Sequence, residues 1–158
     1  MLYVAFIDSP IGVLKITGTE KELHSIDFME GDFAVSHEIP QPLCETVRQL
    51  KEYFQGNRKD FDLVLSPKGT EFQLKVWKKL KEIPFGQTRT YKEIAGLLGD
   101  EKVIRAAASA NGKNPIPIVI PCHRVIGSDQ QLRGYSGGLF RKEWLLRHED
   151  SLSQLKIF

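Results

Sequence analysis

Only two cysteines, Cys44 and Cys122, occur among the 158 residues, which excludes a disulfide-stapled scaffold and points to a reducing compartment, the cytoplasm. Long apolar runs are missing too. The N-terminal Met-Leu-Tyr-Val-Ala-Phe-Ile-Asp is short and has no basic start, and no stretch approaches the roughly 20 apolar residues that span a bilayer, so no membrane or export role is expected. There is no internal repeat and no low-complexity segment, and 41% apolar with 27% charged residues is not the composition of a disordered chain, a collagen or a coiled coil. The length suits one or two packed domains. A net charge of one sign is nearly absent at +2, but counting through Lys68 gives 7 basic and 11 acidic residues, and 15 and 9 after it. The halves therefore carry −4 and +6. A basic second half suits a polyanionic partner, although lysines on solvated helix faces produce the same excess.

Residues 2–7, 12–17 and 23–28 read as short strands of a β-meander, the first two joined at Asp8-Ser9-Pro10, where Ser and Pro favour a turn. Over 42–54 the pattern changes to a helix, with Leu43, Val47, Leu50 and Phe54 on one face and Gly56 as the stop. Residues 61–65 read as a further strand, and Ser66-Pro67-Lys68-Gly69 has the composition of a linker. The boundary belongs there, giving domains 1–68 and 69–158. Beyond it, Thr70 with Gln73 and Thr90 with Glu93 form capping boxes that satisfy free donors at two helix starts. Phe72, Val76, Trp77, Leu80 and Ile83 make the buried face of the first of these helices. The second covers 91–98, a turn follows at Gly99-Asp100, and 103–111 is a third helix. The last two have the lengths of a helix-turn-helix.

The third helix offers one long cation, Arg105, among side chains no larger than serine apart from Ile104. Small residues allow close approach to a nucleic-acid backbone, and they serve equally where two helices pack tightly. Arg105 favours the former, because a guanidinium is planar, permanently charged and able to stack on a base or pair with it.

The strongest chemical signal is Asn114-Pro115-Ile116-Pro117-Ile118-Val119-Ile120-Pro121-Cys122-His123-Arg124-Val125. Three prolines bracket an apolar, strand-like run and deliver Cys122 at a stiff turn. A cysteine attacks as thiolate, and a reference pKa of about 8.5 leaves little of it ionised at neutral pH unless cations or a base help. His123 and Arg124 are placed to help; the alternative is a buried structural cysteine beside a surface histidine. Two further segments bear on the choice. Arg133-Gly134-Tyr135-Ser136-Gly137-Gly138 is a flexible polar loop that can close over a bound ring, and in Lys142-Glu143-Trp144-Leu145-Leu146-Arg147-His148-Glu149 the final carboxylate can set a histidine tautomer.

These residues resemble the O6-alkylguanine-DNA alkyltransferases, also called methylated-DNA-protein-cysteine methyltransferases. The resemblance runs in order through Val76-Trp77, Ile83-Pro84-Phe85-Gly86, Thr90-Tyr91, Arg105, Asn114-Pro115, Ile120-Pro121-Cys122-His123-Arg124-Val125, Tyr135-Ser136-Gly137-Gly138 and Trp144-Leu145-Leu146 to His148-Glu149. It covers the second half densely and the first only loosely. The implied fold is α+β: a small ribonuclease H-like α/β domain, then a mainly helical domain with a helix-turn-helix and the active site.

The implied activity is irreversible, stoichiometric transfer of an alkyl group from O6 of guanine, or O4 of thymine, to Cys122, without cofactor or metal. His123 would be the base through a bridging water, Glu149 would orient it, and Asn114 would hold the active-site turn. Tyr135 resembles the residue that gives a proton to N3 of the leaving guanine, and Ser136 the one that binds its oxygen; Gly137 and Val125 complete the pocket. Arg105 resembles the finger that fills the stack, and Tyr91 the residue that crowds the flanking phosphate, with Ala106, Ser109 and Arg124 as further DNA contacts. The implied partner is double-stranded DNA containing O6-alkylguanine, bound by a monomer through the minor groove. Cys44, His24 and His37 lack a close Cys pair, so no zinc is assigned. A lesion sensor that transfers nothing is disfavoured by the intact Cys122. A cysteine hydrolase is disfavoured because adjacent residues rarely align as nucleophile and direct base, and no oxyanion-hole motif is evident.

Overall fold

The computed structural model describes residues 1–129 and 135–155, and it divides into two compact units, Met1–Lys68 and Gly69–Phe158. In the first, β1 (Tyr3–Ile7), β2 (Leu14–Gly18) and β3 (Leu23–Phe28) form an antiparallel meander in that order. The register aligns Ala5 with Ile16 and Ile16 with Ile26, and all three are buried with Ile7 and Leu14. That is the period of two that gives a sheet one apolar face. A 3-10 turn, Gln41–Leu43, leads into α1 (Cys44–Phe54). Its buried face is Leu43, Val47, Leu50 and Tyr53; Tyr53 takes the inward place expected for Phe54, three residues rather than four after Leu50.

The strand expected over 61–65 is reduced to one parallel bridge between Leu65 and Leu23. The buried amide of Gln49 explains the loss, because its Oε1 accepts from Asp62 N at 2.9 Å and its Nε2 donates to Asp62 O at 3.1 Å. Backbone groups satisfied by a side chain are withdrawn from a ladder.

In the second unit both capping boxes are present, at the starts of α2 (Glu71–Leu80) and α3 (Tyr91–Leu97). Helix α2 stops before Ile83, since a residue preceding proline is pushed out of the helical region. Ile83 is nonetheless buried, while Phe72 is partly exposed. Trp77 Nε1 donates to Ala110 O at 2.8 Å. A Cβ on Gly69 would lie 2.5 Å from the same indole, so the chain crosses it only because that residue is glycine. After α3, a 3-10 turn at Glu101–Val103 leads into α4 (Ile104–Gly112), completing the helix pair. A two-residue parallel ladder, β4 (Arg89–Thr90) with β5 (Val125–Ile126), ties the start of α3 to the segment after Cys122, a pairing too short to leave a sequence pattern. The chain closes with α5 (Leu139–Leu155). Among the described residues no helix is long and apolar enough to cross a membrane.

Candidate active site

The run before Cys122 is a chain of tight turns and not the strand-like segment expected. Ile120 N donates to Ile116 O at 2.9 Å, and Val119 N donates to Pro117 O at 2.9 Å, closing a three-residue turn around Ile118. Cys122 N donates to Ile120 O at 2.7 Å across Pro121, whose φ and ψ are −80° and 65°. Pro115, Pro117 and Pro121 have no N–H to give a ladder, so the chain folds back. Ile118 has φ of 74°, a conformation that costs a β-branched residue roughly 1–3 kcal/mol and persists only under constraint. The constraint is visible: Ile116, Ile118 and Ile120 are buried, and Asn114 clamps the turn, donating to Ile120 O at 2.7 Å and accepting from Ile116 N at 3.0 Å.

Cys122 opens a buried 3-10 turn, Cys122–Arg124. Burial pushes its thiol up to about 11, against the lowering influence of the Asn114 side chain, the Lys142 ammonium and the Tyr135 hydroxyl. At neutral pH it is therefore protonated and needs a base.

His123 is fully buried, with Nε2 2.7 Å from Glu149 Oε2. Burial draws its pKa down despite the opposing carboxylate. Burial would raise that of Glu149, but His123 and Arg124 outweigh it and hold the carboxyl well below its usual range. The pair at rest is thus a neutral imidazole donating Nε2–H to a carboxylate, an assignment that follows from the hydrogen-bond network. The lone pair then sits on Nδ1, which is buried and has no hydrogen-bond partner among the described residues.

Two expectations about cations change. Arg124, expected at DNA and beside the thiol, is buried. Its Nε and Nη2 lie 2.8 and 3.0 Å from the two Glu149 oxygens, and Nη1 donates to Ile83 O at 2.7 Å. A guanidinium so engaged cannot reach a phosphate; it holds Glu149. The cation facing the thiol is Lys142, which sequence reasoning left without a role. Its side chain is completely buried, Nζ donates to Val125 O at 2.6 Å and lies 5.7 Å from the Tyr91 ring centre. Burial lowers its pKa to about 8, opposed by the charge of Cys122. A signal for it existed: Lys142, Leu145 and Glu149 are spaced at i, i+3 and i+7, one helical face, and all three are buried.

The remaining residues fall into two groups. Beside the thiol, Tyr135 and Val125 are buried, and Gly137 O accepts from buried Arg141 at 2.8 Å. Ser136 is exposed in the turn closed by Gly138 N donating to Tyr135 O at 3.0 Å. Gly138 has φ of +92°, which a residue with a side chain adopts only under strain. Arg133 and Gly134 of the same loop lie outside the described residues. On α4, Arg105, Ala106 and Ser109 are exposed while Ala107, Ala110 and Asn111 are buried, so the small residues are divided between an exposed and a buried face. Tyr91, expected at a flanking phosphate, is buried at the start of α3 with its ring facing Lys142. In α5, Trp144 and His148 stack at 4.8 Å.

The chain is similar to known proteins over nearly its whole length. Residues 71–151 match the DNA binding domain of 6-O-methylguanine DNA methyltransferase, and residues 2–67 match its ribonuclease-like domain. A methylated-DNA–protein-cysteine methyltransferase of Methanosarcina barkeri is 49% identical over 157 residues, covering 95% of this chain and 98% of the relative. The crystal structure of Mycobacterium tuberculosis O6-methylguanine methyltransferase superposes with a TM-score of 0.85 at 44% identity, covering 96% of this chain and 94% of that one. A structure from the same organism in complex with DNA gives a TM-score of 0.84 at 45% identity, covering 93% and 92%.

Proposed function

We propose, from the premise that this chain belongs to the 6-O-methylguanine DNA methyltransferase family, that Cys122 is the acceptor of the alkyl group and that the residues around it perform the transfer. The activity is direct DNA repair, a group transfer from damaged DNA to a cysteine of the protein itself. The observation that carries the assignment is the buried set in which Arg124 holds Glu149, Glu149 holds His123, and His123, the residue after Cys122, keeps an Nδ1 with no hydrogen-bond partner among the described residues.

The chemistry is a single displacement. Nδ1 of His123 takes the thiol proton through a bridging water, and the Lys142 ammonium stabilises the thiolate as it forms. Sγ attacks the alkyl carbon, the carbon–oxygen bond breaks, and its electron pair leaves with the guanine. Tyr135, a buried hydroxyl beside the thiol, gives a hydrogen bond to the departing base, and Ser136 with Gly137 encloses its oxygen. The product is a thioether that no ordinary cellular thiol reverses, and Cys44, exposed on the other unit, is no resolving partner. One chain therefore repairs one lesion.

A base stacked in a duplex hides O6, so the substrate is rotated out at a cost of a few kcal/mol. Arg105, exposed on α4 beside Ala106 and Ser109, fills the gap in the stack, and Tyr91 crowds the flanking phosphate. The substrate is double-stranded DNA containing O6-alkylguanine, the working form a monomer, and the setting the reducing cytoplasm. Intact-mass measurement after mixing with a duplex holding one O6-methylguanine tests the reading: one methyl group per chain, located on Cys122, is expected. Continued turnover, or a label on Cys44, overturns it.

A further inference from the structure

Helix α5 opens with two consecutive buried cations, Arg141 at 4% and Lys142 at 0% exposure. Each reaches a backbone carbonyl of a segment that lines the pocket in the reading above. Lys142 Nζ donates to Val125 O at 2.6 Å, and Arg141 Nη1 donates to Gly137 O at 2.8 Å. Lys142 serves the thiol; the transfer described so far leaves Arg141 without a task. Taking a guanidinium out of water is costly even where it is paired, and an apolar side chain of similar volume is commonly as stable or more so, so packing does not account for an arginine here. Its setting does. The guanidinium lies 4.7 Å from the Phe140 ring centre, and the loop it reaches is tightly turned. Gly138 N donates to Tyr135 O at 3.0 Å, Lys142 N donates to Gly138 O at 3.3 Å, and Gly138 has φ of +92° with the Phe140 ring 3.5 Å from where a Cβ would stand. These main-chain bonds hold Tyr135 and Gly138, the two ends of the turn; Arg141 holds the Gly137 carbonyl inside it. Burial pushes the Tyr135 phenol well above its usual range and the Arg141 charge opposes that shift, so the same cation lies within electrostatic reach of the hydroxyl beside the thiol.

We propose that Arg141 is a positioning residue that fixes the Gly137 wall of the pocket and thereby sets specificity for small alkyl groups. The inference rests on the assignment of Cys122 as acceptor and of Tyr135, Ser136 and Gly137 as pocket residues. Displacement needs the alkyl carbon in line between Sγ and the leaving oxygen, and a misplacement of about 1 Å costs on the order of a hundredfold in rate. A methyl group gives the protein one carbon to grip, so its alignment depends on how firmly the base itself is enclosed. A benzyl group carries a ring that packs on apolar side chains and orients itself, and it tolerates a wall that gives way. A glycine wall leaves room for the base but has no side chain with which to hold its own position. The bond from Arg141 supplies that hold from behind the loop.

The test compares single-turnover transfer from the free bases O6-methylguanine and O6-benzylguanine in the full wild-type chain and in Arg141→Met, which keeps the length of the side chain and removes its charge and donors. The methyl-to-benzyl rate ratio is expected to fall by about tenfold, the weaker end of what a hydrogen bond from a charged donor contributes. Arg141→Lys, which keeps the charge and a donor, is expected to recover part of the ratio. Should Arg141→Met not fold, Arg141→Gln is measured in the same way. A residue that only supported the fold would lower Tm and slow both substrates alike. An unchanged ratio, whether both rates fall together or neither falls, therefore overturns the proposal. A wild-type chain that takes no methyl group from a duplex containing O6-methylguanine overturns the acceptor assignment instead.

Discussion

In Met1–Lys68 the buried polar side chains among the described residues are neutral, Thr46 and Gln49, whereas Gly69–Phe158 encloses His123, Arg124, Arg141, Lys142 and Glu149. The first unit keeps its ion pairs in water: Arg48 with Glu45 and Glu52, and Arg58 with Glu52. Its buried amide, that of Gln49, is satisfied by backbone on both ends. The second unit removes ions from water and leaves polar atoms of His123 and Asn111 without a partner among the described residues, against His24 Nε2 alone in the first, in addition to holding Ile118 at φ 74°. Each of these features destabilises. Their concentration around one thiol separates a unit shaped by folding from one shaped by chemistry.

The sharpest test of that contrast replaces the two thiols. Cys122→Ala is expected to abolish methyl transfer from damaged duplex, and Cys44→Ala to leave it unchanged, measured by intact mass. Any transfer by Cys122→Ala would move the chemistry out of the second unit.

Next in size is the buried carboxylate. Glu149→Gln leaves Arg124 uncompensated and His123 without its anionic partner, and losing one member of a buried ion pair costs about 3–5 kcal/mol. A large fall in Tm and a slowed transfer are expected, with affinity for undamaged duplex nearly intact in the folded fraction. Glu45→Gln in the first unit breaks a solvated pair with Arg48 and keeps an acceptor for Gln49, and is expected to leave Tm nearly unchanged. Equal losses from the two changes would remove the distinction between the units.

Arg105→Ala is expected to slow repair in duplex by about fivefold to 150-fold, the factor for about 1–3 kcal/mol of lost stacking. Reaction with the free base should be unaffected, since nothing is flipped. An equal effect on both substrates would place Arg105 in the fold or the thiol chemistry.

The smallest expected effect is on pH dependence. His123 has a folded pKa below its unfolded value of about 6.5, so the unfolded chain binds the proton first and stability declines as pH falls below about 6.5. Glu149, also depressed, contributes stability that is present above its unfolded pKa of about 4.3 and is lost as pH falls further, through the folded value. Urea unfolding across pH should show both losses on the acid side, and Glu149→Gln should lose the lower one. On the alkaline side Lys142 loses its proton near pH 8, so the transfer rate should stop rising there. Continued increase to pH 10 would show that the ammonium does not assist the thiolate.

Local chemistry explains what was legible in advance. The capping boxes at Thr70 and Thr90 and the meander's alternating pattern depend on neighbours within four residues, and so does the stiffness that three prolines impose before Cys122. The one residue misjudged in α1, Phe54 for Tyr53, differs by a single step of helical phase. Periodicity alone does not resolve that step.

The sequence by itself determined the secondary structure of most segments and the resemblance in which Cys122, His123 and Glu149 are linked. Tertiary structure alone decided which charges those residues meet. Arg124 adjoins the thiol in sequence but turns to Glu149 and Ile83, 25 and 41 residues away, while Lys142, 20 positions from Cys122, is the cation that faces it. Neither outcome depends on local propensity. An ion's partner in a low-dielectric interior is set by which groups the packed helices bring within a few ångströms, and that distance exists only once α5 has closed against the turn that carries the thiol.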